Sequence, residues 1–100
     1  MSVDTYAPAV SREAVNAALL DCLKEVVGAD TVELLGVGSQ TKVFTELGIS
    51  SIDMTRLVEL VGGRYPVAER LIGWLADKSL RALARLTVGD IADFIRHALA

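Results

Sequence analysis

Several chemistries are excluded by residues that this sequence lacks. It has one cysteine and one histidine among 100 residues, so an internal disulfide and a multi-cysteine zinc site are excluded. No His, Cys or carboxylate residues cluster at ligand spacing, so we expect no metal site. No apolar run approaches the ~20 residues that cross a bilayer, and residues 1–10 lack the basic and apolar regions of a secretory signal. We therefore expect a cytoplasmic protein that does not bind membranes.

Positive charge is scarce and scattered along the chain. Ten Lys and Arg residues stand against 13 Asp and Glu, which gives a net charge of -3 and a pI near 5.0. Proteins that bind nucleic acid need clustered Lys and Arg to displace counterions, so we expect no nucleic-acid partner. An acidic surface suits docking to basic patches on other proteins, but it also keeps many domains soluble.

Catalytic machinery is also missing. A chain of 100 residues forms one domain, which is too small for a deep active site between two lobes. A serine hydrolase would need a Gly-x-Ser-x-Gly turn, and the segment 48–52 has no second glycine. His97 is predicted in the last turn of the final helix, where a surface or capping role is expected. We predict that the protein is not an enzyme.

The spacing of apolar residues predicts an all-α fold, a small four-helix bundle with a long first loop and an extended third-helix region. The composition, 52% hydrophobic with two Pro, argues against disorder. The first predicted helix is capped by Ser11 and ends at Gly28, and a loop then leads to Ser50. The second helix is predicted from Ser51 to 62–63, and a third region follows over 67–83 with a further turn capped by Ser79. The last helix is predicted to begin at a capping box formed by Thr87 and Asp90. We expect residues 1–10 to be a flexible N-terminal arm and 11–100 to be the domain.

Inward-facing residues follow from the same spacing. The predicted stripes are Val15, Leu19, Cys22, Leu23 and Val26 in the first helix, Met54, Leu57, Val58 and Val61 in the second, and Val88, Ile91, Phe94 and Ile95 in the last. Cys22 is therefore interpreted as a buried small hydrophobe. Trp74 is interpreted as a packing residue of the third region.

Two adjacent serines open the second helix with different expected roles. Ser50 is followed three residues later by Asp53, which is the spacing of a capping box with Ser50 as N-cap. Ser51 then occupies the first helical position with no capping role, and its side chain should point to solvent. It lies beside the partial positive charge of the helix N-terminus, where a phosphate ester is favoured.

This segment resembles the attachment motif of acyl and peptidyl carrier proteins, whose consensus is roughly Leu-Gly-x-Asp-Ser-Leu. Leu47, Gly48, Ser51 and Ile52 match, whereas Ser50 replaces the usual Asp. The segment 86–91 also resembles the start of the family's final helix. The resemblance extends from about Ser11 to the C-terminus, although 62–86 is several residues longer than the usual connection.

The resemblance implies a carrier protein domain over 11–100, with 4′-phosphopantetheine attached covalently to Ser51. Intermediates of a polyketide, nonribosomal peptide or other specialised acyl pathway would be held on it as thioesters. The implied partners are a phosphopantetheinyl transferase, an acyl- or aminoacyl-loading enzyme, and ketosynthase or condensation-type enzymes. We expect a freestanding monomer whose partners recognise the start of the second helix through Ser50, Ile52, Asp53, Met54, Arg56 and Glu59.

Two alternatives stay open from the sequence. Arg56 stands five residues after Ser51, where fatty-acid-type carriers usually present an acidic residue, and it either discourages their enzymes or simply pairs with Asp53 or Glu59 along the helix. The chain as a whole is either a carrier or an unmodified helical protein-interaction module with a degenerate carrier fold.

Overall fold

Side-chain caps and glycines set the helix boundaries of this chain. The computed structural model describes residues 11–99, so the predicted arm over 1–10 lies outside the described residues. The helices of the described range are α1 (Arg12–Val27), α2 (Ala29–Leu34), α3 (Ser51–Gly62), α4 (Ala68–Ala76), α5 (Leu80–Arg85) and α6 (Val88–Leu99). No strand is present in this range, which confirms the all-α prediction.

The predicted caps are present at the helix ends. Ser11 Oγ accepts a hydrogen bond from the N–H of Ala14 at 3.1 Å, and Ser79 Oγ accepts one from Ala82 at 3.1 Å. Gly28 ends α1 at a φ of 96°, a conformation that is costly for residues with a Cβ. Local sequence therefore sets where most helices begin and end.

The hydrophobic core lies where α1 meets α3 and α6. Helix α1 packs against α2, α3 and α6, and α4 packs against α3 and α6. Of the largest fully buried side chains, five come from the predicted stripes and one, Leu71, comes from α4: Leu19, Leu23, Leu57, Leu71, Ile91 and Ile95. Val26 and Phe94, which were also predicted to face inward, are only partly buried. The four longer helices thus form the predicted small bundle, and whether it is of the acyl-carrier type remains a prediction.

Helix α2 corrects the sequence prediction of one long, packed loop from Gly28 to Ser50. It has no side-chain cap and lies between glycines, so its sequence is typical of turns. Val32 is buried against the core, and this tertiary contact stabilises a helix that local propensity does not predict. The third region contains two helices, α4 and α5, and α5 is the predicted further turn capped by Ser79.

The chain between α2 and α3 is fixed by backbone hydrogen bonds to the start of α6. The N–H of Val43 donates to the carbonyl of Leu86 at 3.0 Å, and Lys42 and Thr87 form an isolated antiparallel bridge. The N–H of Gly89 donates to the carbonyl of Ser39 at 2.8 Å, and a Cβ at Gly89 would come 2.8 Å from that same oxygen. The two backbones can therefore approach this closely only at a glycine.

The structure confirms the predicted roles of Cys22 and Trp74. Cys22 is buried, and its burial raises the pKa of the thiol above its ordinary value. The Trp74 ring stacks on Phe94 with the centroids 4.5 Å apart, and the Lys78 ammonium lies 4.1 Å from the Trp74 centroid. Trp74 thus joins α4 to α6 by aromatic and cation–π contacts.

None of the helices described here combines the length and the apolar composition needed to cross a membrane.

Candidate functional site

The loop before α3 holds the first residues of that helix in a fixed position. Leu47 and Ile49 are both buried, while Gly48 between them adopts a φ of 69°. This left-handed conformation directs both flanking side chains into the core and is easily adopted only by glycine. The N–H of Ile49 also donates to the carbonyl of Val43 at 3.2 Å. Leu47 and Gly48, two of the residues that carry the predicted resemblance, therefore anchor the chain just before the serine pair.

The predicted capping box at Ser50 is present in both directions. Ser50 Oγ accepts a hydrogen bond from the N–H of Asp53 at 3.1 Å, and Asp53 Oδ2 accepts one from the N–H of Ser50 at 3.2 Å. Ser50 has an extended backbone, with φ at -82° and ψ at 172°, as an N-cap residue requires. Its hydroxyl is therefore occupied with capping.

Ser51, the next residue, is exposed at the first helical position of α3. Its carbonyl accepts a hydrogen bond from Thr55 Oγ1 at 3.0 Å, whereas its hydroxyl bonds to no residue of the described range. Within residues 11–99 no histidine hydrogen-bonds to this hydroxyl, and Nδ1 of His97, the one histidine of the sequence, lies against the carbonyl oxygen of Asp93 in α6. The arrangement suits a hydroxyl that is modified by another enzyme, because the helix N-terminus stabilises the negative charge of a phosphodiester.

The residues predicted for partner recognition occupy different environments on α3. Ile52 is 82% exposed, which is unusual for a large apolar side chain, and Arg56 and Glu59 are also exposed. Asp53 is half-buried and engaged in the capping box. Met54 is only 8% exposed and belongs to the core. Of these five residues, Ile52, Arg56 and Glu59 therefore present exposed side chains.

A groove between α3 and α4 begins one helical turn from Ser51. It has a volume of about 460 Å³. Its lining consists of Met54, Thr55, Val58, Glu59, Ala68, Ile72 and Leu75. Most of these residues are apolar. Thr55 places the start of the groove near Ser51, because residues four apart lie on the same helix face.

Close contact between the ends of α3 and α4 shapes this groove. A Cβ at Gly62 would lie 2.9 Å from the Cβ of Ala68, so the two helices touch backbone to side chain at that point. Ile72, which is half exposed, lies on the α4 side of the groove. The α4 residues that line the groove were not predicted from the sequence. The spacing of Ile72 and Leu75 was a signal for it, but the pattern did not show which helix they face.

His97 and the acidic residues form no catalytic or metal centre within residues 11–99. Nδ1 of His97 lies 2.9 Å from the carbonyl oxygen of Asp93, one turn earlier in α6, and the side chain is exposed. This is the surface position that the sequence predicted. No group of three or more His, Cys, Asp or Glu side chains in the described range is arranged to hold a metal ion.

Comparisons with protein-family models, curated proteins and solved structures give no match to this chain. Inference about function therefore depends on the geometry around Ser51 and on the α3–α4 groove.

Proposed function

We propose that this chain is an acyl or peptidyl carrier domain that bears 4′-phosphopantetheine on Ser51 and catalyses no reaction itself. The observation that carries this proposal is the division of roles between two adjacent serines. Ser50 uses its hydroxyl to cap α3, which leaves the Ser51 hydroxyl exposed and unbonded in the described range at the helix N-terminus. A modifying enzyme can reach this hydroxyl without disturbing the cap.

The local structure fits a phosphodiester at this position. The partial positive charge at the N-terminus of α3, a helix of 12 residues, stabilises the phosphate. When bound, the arm supplies a terminal thiol that holds an acyl or aminoacyl group as a thioester.

The protein's own contribution is to hold the cargo near its partners' active sites. A tethered group reacts at a high effective concentration that the length of the arm determines. The α3–α4 groove, about 460 Å³ and mostly apolar, gives an apolar cargo a place next to Ser51. Exposed Ile52 offers loading and condensing enzymes an apolar contact beside the attachment point. We place this carrier in a polyketide, nonribosomal peptide or other specialised acyl pathway.

Intact mass spectrometry tests the proposal directly. The chain is incubated with coenzyme A and a broad-specificity phosphopantetheinyl transferase, and we expect the addition of one phosphopantetheine. Ser51→Ala should abolish the addition, whereas Ser50→Ala should be modified. Full modification of Ser51→Ala would show that the site is wrong.

The second candidate is an unmodified helical interaction module. The observation in its favour is Ser50, which keeps the cap but removes the negative charge that the family's usual Asp places next to the attachment serine. Failure of the wild-type chain to accept phosphopantetheine, while a known carrier is modified in the same mixture, would favour this module over the carrier.

A further inference from the structure

Helix α5 presents a basic and apolar surface, the α5 patch, formed by Leu80, Arg81 and Arg85. Leu80 is 86% exposed and both arginines are exposed. No residue of α5 is buried, and α5 has no extensive contact with another helix. The stretch 78–85 contains three cations and no carboxylate, in a protein whose net charge is -3.

Helix α2 presents a surface of opposite charge, the α2 patch, formed by Asp30, Glu33 and Leu34. Leu34 is 86% exposed, and the two acidic residues are exposed beside it. The three side chains line a shallow depression of about 340 Å³. Their spacing of three and four residues places them on one face of the helix.

Neither patch is neutralised within the described part of the chain. The ion pairs found there join Arg12 to Asp93, Arg64 to Asp21 and Arg96 to Asp93. Arg81 and Arg85 are four residues apart on α5, and like charges at this spacing destabilise a helix. Each patch also contains a leucine whose side chain is exposed to solvent. A complementary surface would offset the repulsion within each patch and cover its leucine.

We propose that the α5 patch of one molecule binds the α2 patch of a second copy of this chain. On each patch a leucine lies beside two like charges that are about one helical turn apart. Arg81 and Arg85 can therefore approach Asp30 and Glu33 together, while the leucines make an apolar contact between them. Because the two patches are different surfaces of one molecule, the contact is head-to-tail and leaves one free patch at each end of the dimer.

A second copy is the occupant that the structure favours, because both complementary surfaces are present on this one chain. The contact area is small and its ion pairs are at the surface, so the association is weak and depends on concentration and salt. The sequence-based prediction of a monomer therefore applies to dilute or high-salt solution. This inference does not depend on the proposed carrier function.

Sedimentation experiments on the full chain test the contact. At about 0.01 M salt, where the Debye length is about 30 Å, the weight-average mass should rise above 10.7 kDa between about 10 μM and about 1 mM protein. It should not level off at twice that mass, because the free patch at each end of a dimer binds further copies. At about 1 M salt the rise should disappear, because the charges are then screened over about 3 Å. A constant monomer mass at low salt up to the highest concentration would overturn the proposal.

Charge variants identify which surfaces meet. Arg81→Glu should abolish the rise, whereas Arg56→Glu, which changes the net charge by the same amount on α3, should retain it. All of these side chains are exposed, and circular dichroism verifies that each variant is folded. Equal association of the Arg81 and Arg56 variants would assign the contact to another surface and refute this one.

Mixing two doubly substituted chains gives a positive test. Chains with Arg81→Glu and Arg85→Glu have two acidic patches, and chains with Asp30→Arg and Glu33→Arg have two basic patches. Each variant should be monomeric alone, whereas an equimolar mixture should associate, because every acidic patch then has a basic partner. A mixture that stays monomeric would contradict the pairing of these two surfaces.

Discussion

Ser50 and Asp53 hydrogen-bond each other's backbone N–H groups, at 3.1 Å and 3.2 Å, and so close the N-terminus of α3. This reciprocal pair explains why the neighbouring hydroxyl, that of Ser51, is unoccupied. The cap therefore requires only one of the two adjacent serines.

Ser50→Ala should lower the free energy of unfolding by about 1 kcal/mol, since it removes the acceptor for the N–H of Asp53. Urea denaturation measures this change. Ser51→Ala is the matched control, because the Ser51 hydroxyl bonds to nothing in the described range, and it should change stability by less than about 0.5 kcal/mol. An unchanged midpoint for Ser50→Ala would show that the cap does not contribute to stability.

Gly89→Ala should destabilise the protein by about 1–3 kcal/mol, because the new Cβ would come 2.8 Å from the Ser39 carbonyl oxygen. The loop that leads to α3 would have to move. Gly73→Ala is the control and should increase stability. Gly73 lies within α4, and nothing is within 4 Å of a Cβ added there. Ala is favoured over Gly in a helix by about 0.5–1 kcal/mol. Thermal denaturation of the two variants should therefore give shifts in opposite directions.

Features that depend on residues three apart were predictable from the sequence. The caps at Ser11, Ser50 and Ser79 need only a hydroxyl at the start of an apolar helical pattern. The same holds for the last helix, where Thr87 Oγ1 accepts from the N–H of Asp90 at 3.1 Å and Asp90 Oδ2 accepts from the N–H of Thr87 at 3.1 Å.

Features that depend on which elements meet in space were not predictable from one sequence. Helix α2 is stabilised by burial of Val32 rather than by a cap. The α3–α4 groove depends on the contact between Gly62 and Ala68, and neither residue signals its partner. Met54 was predicted both in the inward stripe of α3 and as a recognition residue, and its burial confirms the first of these predictions.

Cys22 should make stability decrease at alkaline pH. Burial raises the pKa of its thiol in the folded state, Arg64 opposes this, and Glu25 and Asp21 reinforce it. Above about pH 9 the unfolded chain releases the thiol proton first, so it binds fewer protons than the folded chain, and the free energy of unfolding falls as pH rises through the folded-state pKa.

Comparison of the wild type with Cys22→Ala isolates this effect. The variant should be less stable by about 1 kcal/mol near pH 7, because it loses buried volume. The difference should shrink as the pH is raised above 9, since only the wild type carries the thiol. Urea denaturation at a series of pH values measures it, and a difference that stays constant up to pH 10.5 would show that the thiol does not titrate differently in the two states.

Arg56 provides a test of partner choice that depends on the proposed carrier function. No ion pair within 4.0 Å joins Arg56 to Asp53 or Glu59, the other charged residues of α3, so the guanidinium is free to meet a partner. A basic patch that suits an acidic carrier would repel it, and such contacts at the rim of an interface change the association rate more than the bound geometry.

Arg56→Glu should therefore raise the rate at which a fatty-acid ketosynthase or malonyl transferase acts on the loaded chain, by roughly 2- to 10-fold at low ionic strength. The gain should shrink as salt is added, because exposed charges are screened beyond the Debye length. Lys24→Glu, which makes the same charge change on α1, should give little gain and so separates a local contact from a general effect of net charge. Equal rates for Arg56→Glu and the wild type at low salt would show that Arg56 does not govern partner choice.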